Sequence, residues 1–393
     1  MKLIFFFLFT SIAFSQSPVP ADAKLEKLAT GLLQPEGPLW KDGVGLLFSD
    51  LRSNKIYKWS PVDSSLQVFL DSSETSNGLT FDLQGRLVLT QMAMRRVSRQ
   101  EPDRTITVLA SKYNGKKFNS PNDLVVKSDG AIFFTDPDNN IPTGQSMELT
   151  FRGIFRISTT DSVTLLDSTV SKPNGICFSL DEKKLYVDDS NNIYAWDVVN
   201  DSTLAHKQLF YHIPATGYTD GMKIDTAGNI YCTGPNGVWI VSPSGTGLGN
   251  IAMTLTPSNC AWGDADRKTL YITAGYNSGS NAGDVGIYRI RLALTTGVRD
   301  HGSLNIHSNE LYANYPNPFN PATVISYQIS AINQVSLKVY DVLGREVEIL
   351  VSERQSEGSH LATFNANSLP SGVYFYRLQA GSFVQTKKMQ LIK

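Results

Sequence analysis

The sequence predicts an all-β protein that consists of a six-bladed β-propeller followed by a small, immunoglobulin-like β-sandwich. A strand–turn–strand pattern recurs six times at spacings of 39 to 52 residues, and a period of about 40 to 50 residues is typical of propeller blades. After the last copy comes a polar segment, and beyond it short apolar strands alternate with turn residues. The predicted boundaries are 24–293 for the propeller, 294–310 for a linker and 311–393 for the sandwich.

Each copy of the repeat begins with an acid or an amide. Five copies read LTFDLQGRLVLT, LVVKSDGAIFFTD, ICFSLDEKKLYVDD, MKIDTAGNIYCTG and AWGDADRKTLYITA, and the first copy, GPLWKDGVGLLFSD, has the same shape. The residues that begin the six copies are Glu36, Asn77, Asn122, Asn174, Asp220 and Asn259. Because the innermost strand of each blade lines the central channel, one residue per blade forms a ring around the axis. We therefore expect six oxygen-bearing side chains to converge in the channel.

The chemistry of these side chains indicates a metal site. Carboxylate and amide oxygens, without Cys or His, suit a hard divalent cation, Ca²⁺ first, with Mg²⁺, Mn²⁺ or Zn²⁺ as alternatives. Glu36 and Asp220 supply two negative charges to balance such an ion. Asn-Gly, Asp-Gly and Asn-Asp are also common in turns, so turn formation alone explains the residue in any one of these copies. It does not explain the Glu36-Gly-Pro sequence of the first copy.

The motifs of these copies resemble those of a known family. QPEGPLW, SNGLTFDLQGRLVLT, KFNSPNDLVVKSDGAIFFTDP, KPNGICFSLDEKKLYV and TDGMKIDTAGNIYCTGPNGVWIVSP lie within a region from about residue 28 to 292. This region resembles the superfamily of gluconolactonase, regucalcin and luciferin-regenerating propellers, most closely the bacterial gluconolactonases. The resemblance implies that Glu36, Asn174 and Asp220 are metal ligands and that Asn122 is a further ligand or a substrate contact.

The sequence departs from the family pattern at three positions. In TQMAMRR, Gln91 and Met92 occur where many gluconolactonases carry an acidic residue and a His. Lys117 occurs where an Arg often precedes NSPND, and we expect it to contact substrate. A Lys loses the bidentate geometry of an Arg. These departures leave the metal site intact and favour a lactone that is less hydroxylated than gluconolactone.

The function expected from this pattern is hydrolysis of a sugar-type lactone by a secreted, metal-dependent enzyme. The cation would polarise the lactone carbonyl as a Lewis acid, and Asp220 would take the proton of the attacking water. Direct attack by Asp220 as the nucleophile stays open. Asn77 and Asn259 are expected to contact substrate. Two other classes also stay open: a metal-dependent esterase or phosphotriesterase, and a non-catalytic binding propeller.

The N-terminus and the charge balance bear on location and partners. MKLIFFFLFTSIAFSQ has a basic start, an apolar run and a small-residue end, which predicts a signal peptide over residues 1–15. No other stretch approaches the roughly 20 apolar residues of a transmembrane helix. The 35 basic and 36 acidic residues leave no positive excess for nucleic acid.

The C-terminal module carries motifs of its own. YPNPFNPAT, YDVLGREV, LPSGVYFYRL and the final KKMQLIK resemble the C-terminal sorting domain of the type IX secretion system. The resemblance implies that the type IX machinery is a partner and that the protein passes through the periplasm to the cell surface or the medium. A generic adhesive or carbohydrate-binding sandwich is the alternative.

Two further residue types have expected places. Cys177, Cys232 and Cys260 lie in apolar strand positions of different blades, which favours buried thiols over a disulfide pair. His212 lies eight residues before Asp220, on a segment that could reach the channel mouth.

Overall fold

The computed structural model describes residues 17–200, 202–264, 266–276, 283–293, 309–312, 314, 317–355 and 358–392. The chain divides into two compact units, Met1–Ser303 and Leu304–Lys393. Within the described ranges the only helix is a single 3₁₀ turn, Leu51–Ser53, and no helix there could span a membrane. The predicted signal peptide, residues 1–15, and residues 294–308 of the predicted linker lie outside the described residues.

The first unit contains, in its described part, six four-stranded antiparallel sheets and one short hairpin. Sheet 1 contains β2 (Pro35–Lys41), β3 (Gly45–Asp50), β4 (Lys55–Trp59) and β5 (Leu66–Asp71). Sheet 2 contains β6 (Ser76–Phe81), β7 (Leu87–Gln91), β8 (Arg96–Gln100) and β9 (Ile106–Ala110), and it is followed by the hairpin of β10 (Lys112–Tyr113) and β11 (Lys116–Lys117). Sheet 3 contains β12 (Leu124–Val126), β13 (Ile132–Asp136), β14 (Gly153–Ile157) and β15 (Val163–Asp167).

The remaining three sheets follow in chain order. Sheet 4 contains β16 (Pro173–Phe178), β17 (Lys184–Asp189), β18 (Asn192–Asn200) and β19 (Thr203–His212). Sheet 5 contains β20 (Met222–Ile224), β21 (Ile230–Gly234), β22 (Gly237–Val241) and β23 (Gly247–Ala252). Sheet 6 contains β24 (Pro257–Gly263), β25 (Thr269–Ala274), β26 (Gly286–Arg291) and, as its outer strand, β1 (Glu26–Thr30) from the N-terminal end.

The inner strands of the six sheets form a closed ring. β2, β6, β12, β16, β20 and β24 contact one another in this order, and β24 contacts β2 again. The ring is also closed at the outer edge of sheet 6, where β1 pairs antiparallel with β26. The predicted all-β propeller is therefore confirmed, and the use of an N-terminal strand to complete the last sheet is a feature that the repeat pattern did not predict.

Apolar side chains fill the space between neighbouring sheets. Phe133 of sheet 3 packs edge-on against Phe178 of sheet 4, and Tyr231 of sheet 5 packs edge-on against Trp262 of sheet 6. Each fully buried side chain of this kind contributes about 1.5 to 3 kcal/mol of transfer free energy. All three cysteines of the chain are buried thiols, as expected.

The second unit has the seven strands expected of the sandwich within its described residues. One sheet contains β27 (Glu310–Leu311), β28 (Ala322–Ile329) and β31 (Gly358–Asn365). The other contains β29 (Asn333–Tyr340), β30 (Glu346–Gln355), β32 (Gly372–Ala380) and β33 (Phe383–Leu391). Both sheets contribute to one core, with Ile325 and Phe364 from the first and Leu337 and Tyr376 from the second.

Candidate metal centre

The six residues that begin the repeats lie at corresponding positions of the six inner strands. Asn122 and Asp220 lie just before β12 and β20, as expected. The other four lie at the second or third position inside their strands: Glu36, Asn77, Asn174 and Asn259. The strand begins earlier there than expected because the preceding residue already pairs, as Pro35 does with Asp50.

Each of these four inner strands carries a register shift next to its ring residue. The shifts lie between Glu36 and Leu39, Ser76 and Leu79, Pro173 and Ile176, and Pro257 and Asn259. A bulge of this kind bends the strand and changes the direction of a side chain, and bulges are frequent beside active sites. The irregular backbone therefore belongs to the construction of the ring.

Contacts across the channel bring the side chain of Asn259 and two charged side chains together at the axis. Asn259 Nδ2 of sheet 6 donates to Asp123 Oδ2 of sheet 3 at 3.4 Å, although these two sheets lie on opposite sides of the ring. Lys223 Nζ of sheet 5 lies 4.0 Å from the same carboxylate oxygen. Three sheets thus meet at one point on the axis.

Glycines after the ring residues allow the inner strands to approach one another closely. Gly175 N donates to Asp220 O at 2.8 Å, and a Cβ at Gly175 would lie only 2.4 Å from that oxygen. Gly37 repeats this arrangement, because its Cβ would lie 2.1 Å from Asn77 O. The glycines of the EGP and PNG motifs are therefore required because a side chain there would collide with the neighbouring inner strand, in addition to any role in a turn.

Three buried carboxylates position the segments that lead into the ring. We call Asp50, Asp136 and Asp189, which end β3, β13 and β17, the aspartate clamp. Each accepts two backbone N–H bonds from the segment just before Glu36, Asn122 or Asn174. Asp50 accepts from Leu33 N at 3.1 Å and from Gln34 N at 2.6 Å. Asp136 accepts from Asn119 N and Ser120 N, both at 2.8 Å. Asp189 accepts from Ser171 N at 2.8 Å and from Lys172 N at 2.6 Å. The clamp therefore supports three of the four predicted metal ligands.

Sheet 2 has an amide in place of the clamp carboxylate. Gln91 ends β7, donates through Nε2 to Ser73 O at 3.1 Å and accepts from Arg96 Nε at 2.6 Å. Met92 is fully buried, and its Sδ lies 3.7 Å from Asn140 Nδ2. Both departures from the family pattern are therefore integrated into the fold around Asn77.

The ring differs in exposure from one side to the other. Glu36, Asn77, Asn122 and Asn259 are no more than 4% exposed. Asn174 and Asp220 are partly exposed. These two residues lie beside sheets 4 and 5, and we expect a solute to approach the ring there, although Asn174 Oδ1 itself is buried.

The electrostatics of the ring favour binding of a cation. Burial, followed by repulsion from Asp220 and Asp123, raises the pKa of Glu36 well above its usual value. Burial and repulsion from Asp188 and Asp123 raise the pKa of Asp220 likewise, although the Asn174 amide donates to its carboxylate. Crowded carboxylates that lie away from water must either take up protons or bind a positive ion.

Three charged residues of the channel were missed by the sequence analysis. Asp123 and Asp188 are at most 1% exposed, and Lys223 brings an ammonium group to Asp123. Ser49 and Thr90 lie at corresponding positions of the second strands of sheets 1 and 2, and the hydroxyl of each donates to a backbone carbonyl of the next sheet's inner strand. Asp188 lies at this position in sheet 4. It cannot donate as a carboxylate, and it accepts from Gly175 N at 3.1 Å. A comparison of the repeats with one another contained this signal, because each of three copies carries a charge at a position that is uncharged in the other five.

Two amide oxygens of the ring fit a cation directly. Asn174 Oδ1 and Asn77 Oδ1 are buried and have no hydrogen-bond partner among the described residues. An amide oxygen without a donor, beside carboxylates, is an unused ligand for a hard ion. No group of three or more His, Cys, Asp or Glu residues in the described ranges is arranged to hold a metal. The predicted metal site does not need such a group, because two of its four ligands, Asn122 and Asn174, are amides.

Lys117 and His212 lie at the surface. The Lys117 side chain is exposed on β11, and its backbone N–H donates to Glu148 Oε2 at 2.8 Å. His212 is exposed at the end of β19, and its Nδ1 lies 2.9 Å from Asn192 Oδ1.

Comparison with known proteins places the first unit in a family. Residues 34–276 match the family described as the SMP-30/gluconolactonase/LRE-like region. The chain belongs to this family. Residues 313–393 match the secretion system C-terminal sorting domain, which implies export to the surface or the medium.

Individual members of the gluconolactonase family show the same similarity. The gluconolactonase of Zymomonas mobilis is 32% identical over 64% of this chain and 79% of its own length. The pentonolactonase of Haloferax volcanii is 26% identical over 63% of this chain and 84% of its own length. The solved gluconolactonase of Xanthomonas campestris is 31% identical, with a TM-score of 0.63 over 69% of this chain and 90% of its own length.

Proposed function

We propose that the protein is a secreted, metal-dependent lactonase that hydrolyses a five- or six-membered aldonolactone to the hydroxy acid. The observation that carries this proposal is the partnerless Asn174 Oδ1 beside the partly exposed Asp220. Together they offer a ligand oxygen and a carboxylate at the side of the ring that a solute can reach. The family of this chain supports the reaction class.

The residues that would hold the cation are Glu36, Asn122, Asn174 and Asp220. Their oxygens and the two negative charges fit Ca²⁺ better than ions that prefer nitrogen or sulfur. When bound, such an ion polarises a carbonyl oxygen and stabilises the negative charge that develops on it. The aspartate clamp would keep three of these ligands in place, in the way that supporting residues orient metal ligands elsewhere.

Asp220 is the residue that we propose as the general base. The Asn174 amide donates to its carboxylate and so fixes its orientation. A carboxylate in this position takes the proton of the attacking water, whose oxygen bonds to the lactone carbonyl carbon. The ring C–O bond then breaks, and the leaving ring oxygen takes this proton from Asp220 to become the hydroxyl of the product. Direct attack by Asp220 on the carbonyl carbon would instead open the lactone ring and form a mixed anhydride with the protein, which water then hydrolyses. A single turnover in ¹⁸O-water distinguishes the two, because only the second route labels the Asp220 carboxylate.

The substrate class rests on the relatives and on the polar ring. The two curated relatives above carry the names gluconolactonase and pentonolactonase, so both are aldonolactone hydrolases by name. Asn77 Oδ1 is a buried acceptor without a partner among the described residues, which suits a substrate hydroxyl. Asn259 donates to Asp123 and would act on substrate from the same side of the channel. Lys117 would contact substrate only at the outer end of the channel.

The experiment that tests the function follows acid release in weak buffer over a substrate panel. The panel contains sugar lactones, alkyl lactones, aryl esters and a phosphotriester, each with a protein-free blank. We expect turnover of the sugar lactones and its loss with chelator. Turnover of the esters or phosphotriester alone would assign the protein to the esterase class, and no turnover would indicate a binding propeller.

A further inference from the structure

A cavity of about 640 Å³ lies beside sheets 4 and 5. One wall is the segment 214–218, and the other is formed by Ser190 and Asn191, with His212 also in the lining. Its volume falls in the range of about 300 to 1,000 Å³ that is usual for small-molecule sites.

The cavity ends two residues along the chain from the proposed catalytic residue. Thr219 joins the two walls, because its N and Oγ1 both donate to Ser190 O, at 2.6 and 2.9 Å. Asp220 is the next residue along the chain. Since consecutive Cα atoms are about 3.8 Å apart, the Cα of Tyr218 lies within about 8 Å of that of Asp220. The cavity therefore lies close to Asp220, which is partly exposed.

Tyr218 gives the cavity an aromatic surface. The residue is 60% exposed. The Lys172 ammonium lies 4.0 Å from the centroid of its ring and holds one face. The other side of an exposed aromatic ring that is held in this way offers a flat apolar surface for the C–H groups of a ligand.

The other lining residues are four with polar side chains, among them His212, and three without, which are Pro214, Ala215 and Gly217. Ser190, Asn191 and Thr216 bring hydroxyl and amide groups, and none of the described lining residues is an Asp, Glu, Lys or Arg. Because Asn192 Oδ1 accepts from His212 Nδ1, the Nε2 of His212 is the nitrogen left for a ligand hydroxyl. A flat apolar face beside hydroxyl and amide groups suits a sugar ring.

We propose that this cavity is a glycosyl subsite and that the preferred substrate is an aldonolactone that carries a second sugar unit, such as the δ-lactone of cellobionic acid. The inference rests on the proposed function and specifies its substrate. The second sugar stacks on Tyr218 while the lactone ring lies at the metal centre. Water adds to the carbonyl carbon, the ring C–O bond breaks, and the glycosidic bond stays intact.

The test compares two lactones and two matched tyrosine variants. Tyr276 is a suitable control because it is 52% exposed and has the Arg52 guanidinium 4.8 Å from its ring, yet it does not line the cavity. We expect the wild-type protein to prefer cellobionolactone over gluconolactone in kcat/KM. Tyr218→Ala should lower kcat/KM for cellobionolactone by about tenfold or more, mainly through KM. Gluconolactone turnover by Tyr218→Ala, and both activities of Tyr276→Ala, should stay close to wild type.

An equal loss for both lactones in Tyr218→Ala, or no loss for either, would overturn the subsite. Calorimetric titration with cellobiose, which cannot be hydrolysed here, separates this inference from the function itself. Cellobiose should bind the wild type and Tyr276→Ala and should bind Tyr218→Ala at least about tenfold more weakly. Binding without lactone turnover would refute the proposed reaction but keep the subsite, whereas lactone turnover without cellobiose binding would refute the subsite alone.

Discussion

At the scale of single residues, the ring combines six repeat residues with three charges that the repeat does not share. The sequence predicted Glu36 and Asp220 as the charged members, and their raised pKa values follow from burial and mutual repulsion. Asp123, Asp188 and Lys223 were not predicted, because each interrupts a pattern that the other copies keep. A periodic pattern predicts the positions that repeat, and a charge that occurs in a single sheet is found only when the copies are compared with one another.

The first prediction concerns cation binding by these residues. Glu36→Gln and Asp220→Asn each remove a ligand charge, so calorimetric titration with Ca²⁺ should detect no high-affinity binding while circular dichroism stays that of the folded protein. Asp188→Asn is the matched control, since it removes a neighbouring charge but no assigned ligand. The affinity of the Asp188→Asn variant for Ca²⁺ should fall by about 10- to 100-fold, but binding should still be detected. Unchanged affinity in both ligand variants would refute the metal assignment.

At the scale of elements, the hairpins of the six copies were predictable and the irregularities beside the ring were not. Alternating apolar residues and turn signals such as DLQG and DTAG indicate the strands. The register shift at Glu36 and the early start of β2 depend on pairing with β3, which sequence periodicity does not contain. The closure by β1 was missed for a similar reason, since its partner β26 lies more than 250 residues away.

The second prediction tests the close approach of the inner strands. Gly175→Ala would place a Cβ 2.4 Å from Asp220 O, so the two inner strands must separate. Overpacking of this kind costs about 1 to 3 kcal/mol in the free energy of unfolding. We expect that loss in urea titration, together with weaker Ca²⁺ binding, because Asn174 and Asp220 flank the contact. Gly283→Ala, where a Cβ would meet nothing within 4 Å, should change neither quantity. Equal behaviour of the two variants would contradict the steric account.

At the scale of the whole molecule, the chain is a gluconolactonase-family propeller followed by a secretion sorting domain. Its channel concentrates buried carboxylates around one ammonium group, so its stability depends on what balances their charge. The motifs were sufficient to predict both folds, since each is spread over the whole unit. The substrate cavity was not predictable, because it depends on how the segment 214–218 lies against Ser190 and Asn191.

The third prediction is a pH dependence of stability in the metal-free protein. Burial raises the pKa of Asp136 to about 7 from an ordinary value of 3.8, and burial also raises the pKa of Asp188 and Asp220. The folded protein therefore binds more protons than the unfolded chain between about pH 4 and 7. The stability from these groups is complete below their unfolded pKa values and is lost as the pH rises through the folded ones.

In chelator, the free energy of unfolding should thus fall between pH 5 and 7, with each such group contributing at most about 1.4 kcal/mol per pH unit. Ca²⁺ should remove the part of this slope that comes from Glu36 and Asp220, because the ion replaces the protons on these two ligands. Urea titrations at several pH values, with and without Ca²⁺, measure both effects. A free energy that rises with pH in chelator would contradict the assignment.

The fourth prediction concerns the two units. Removal of residues 304–393 follows the boundary between them and should leave a folded, active propeller. In a host with a type IX secretion system, the shortened protein should accumulate in the periplasm, because the sorting domain is absent. Fractionation with activity assays measures this, and the full-length chain is the control. Normal export of the shortened protein would show that the second unit is not the sorting signal.

The most direct test of the central claim is the rate of gluconolactone hydrolysis by the chelator-treated protein as Ca²⁺ is returned, corrected for the spontaneous reaction. The predicted result is a rate close to the blank in chelator and full recovery that saturates at one ion per protein. Asp220→Asn, which loses both a metal ligand and the proposed general base, should stay at least about 100-fold slower over the same range of Ca²⁺. Full activity in chelator, or an Asp220→Asn variant as fast as the wild type, would contradict a metal-dependent lactonase built on this ring.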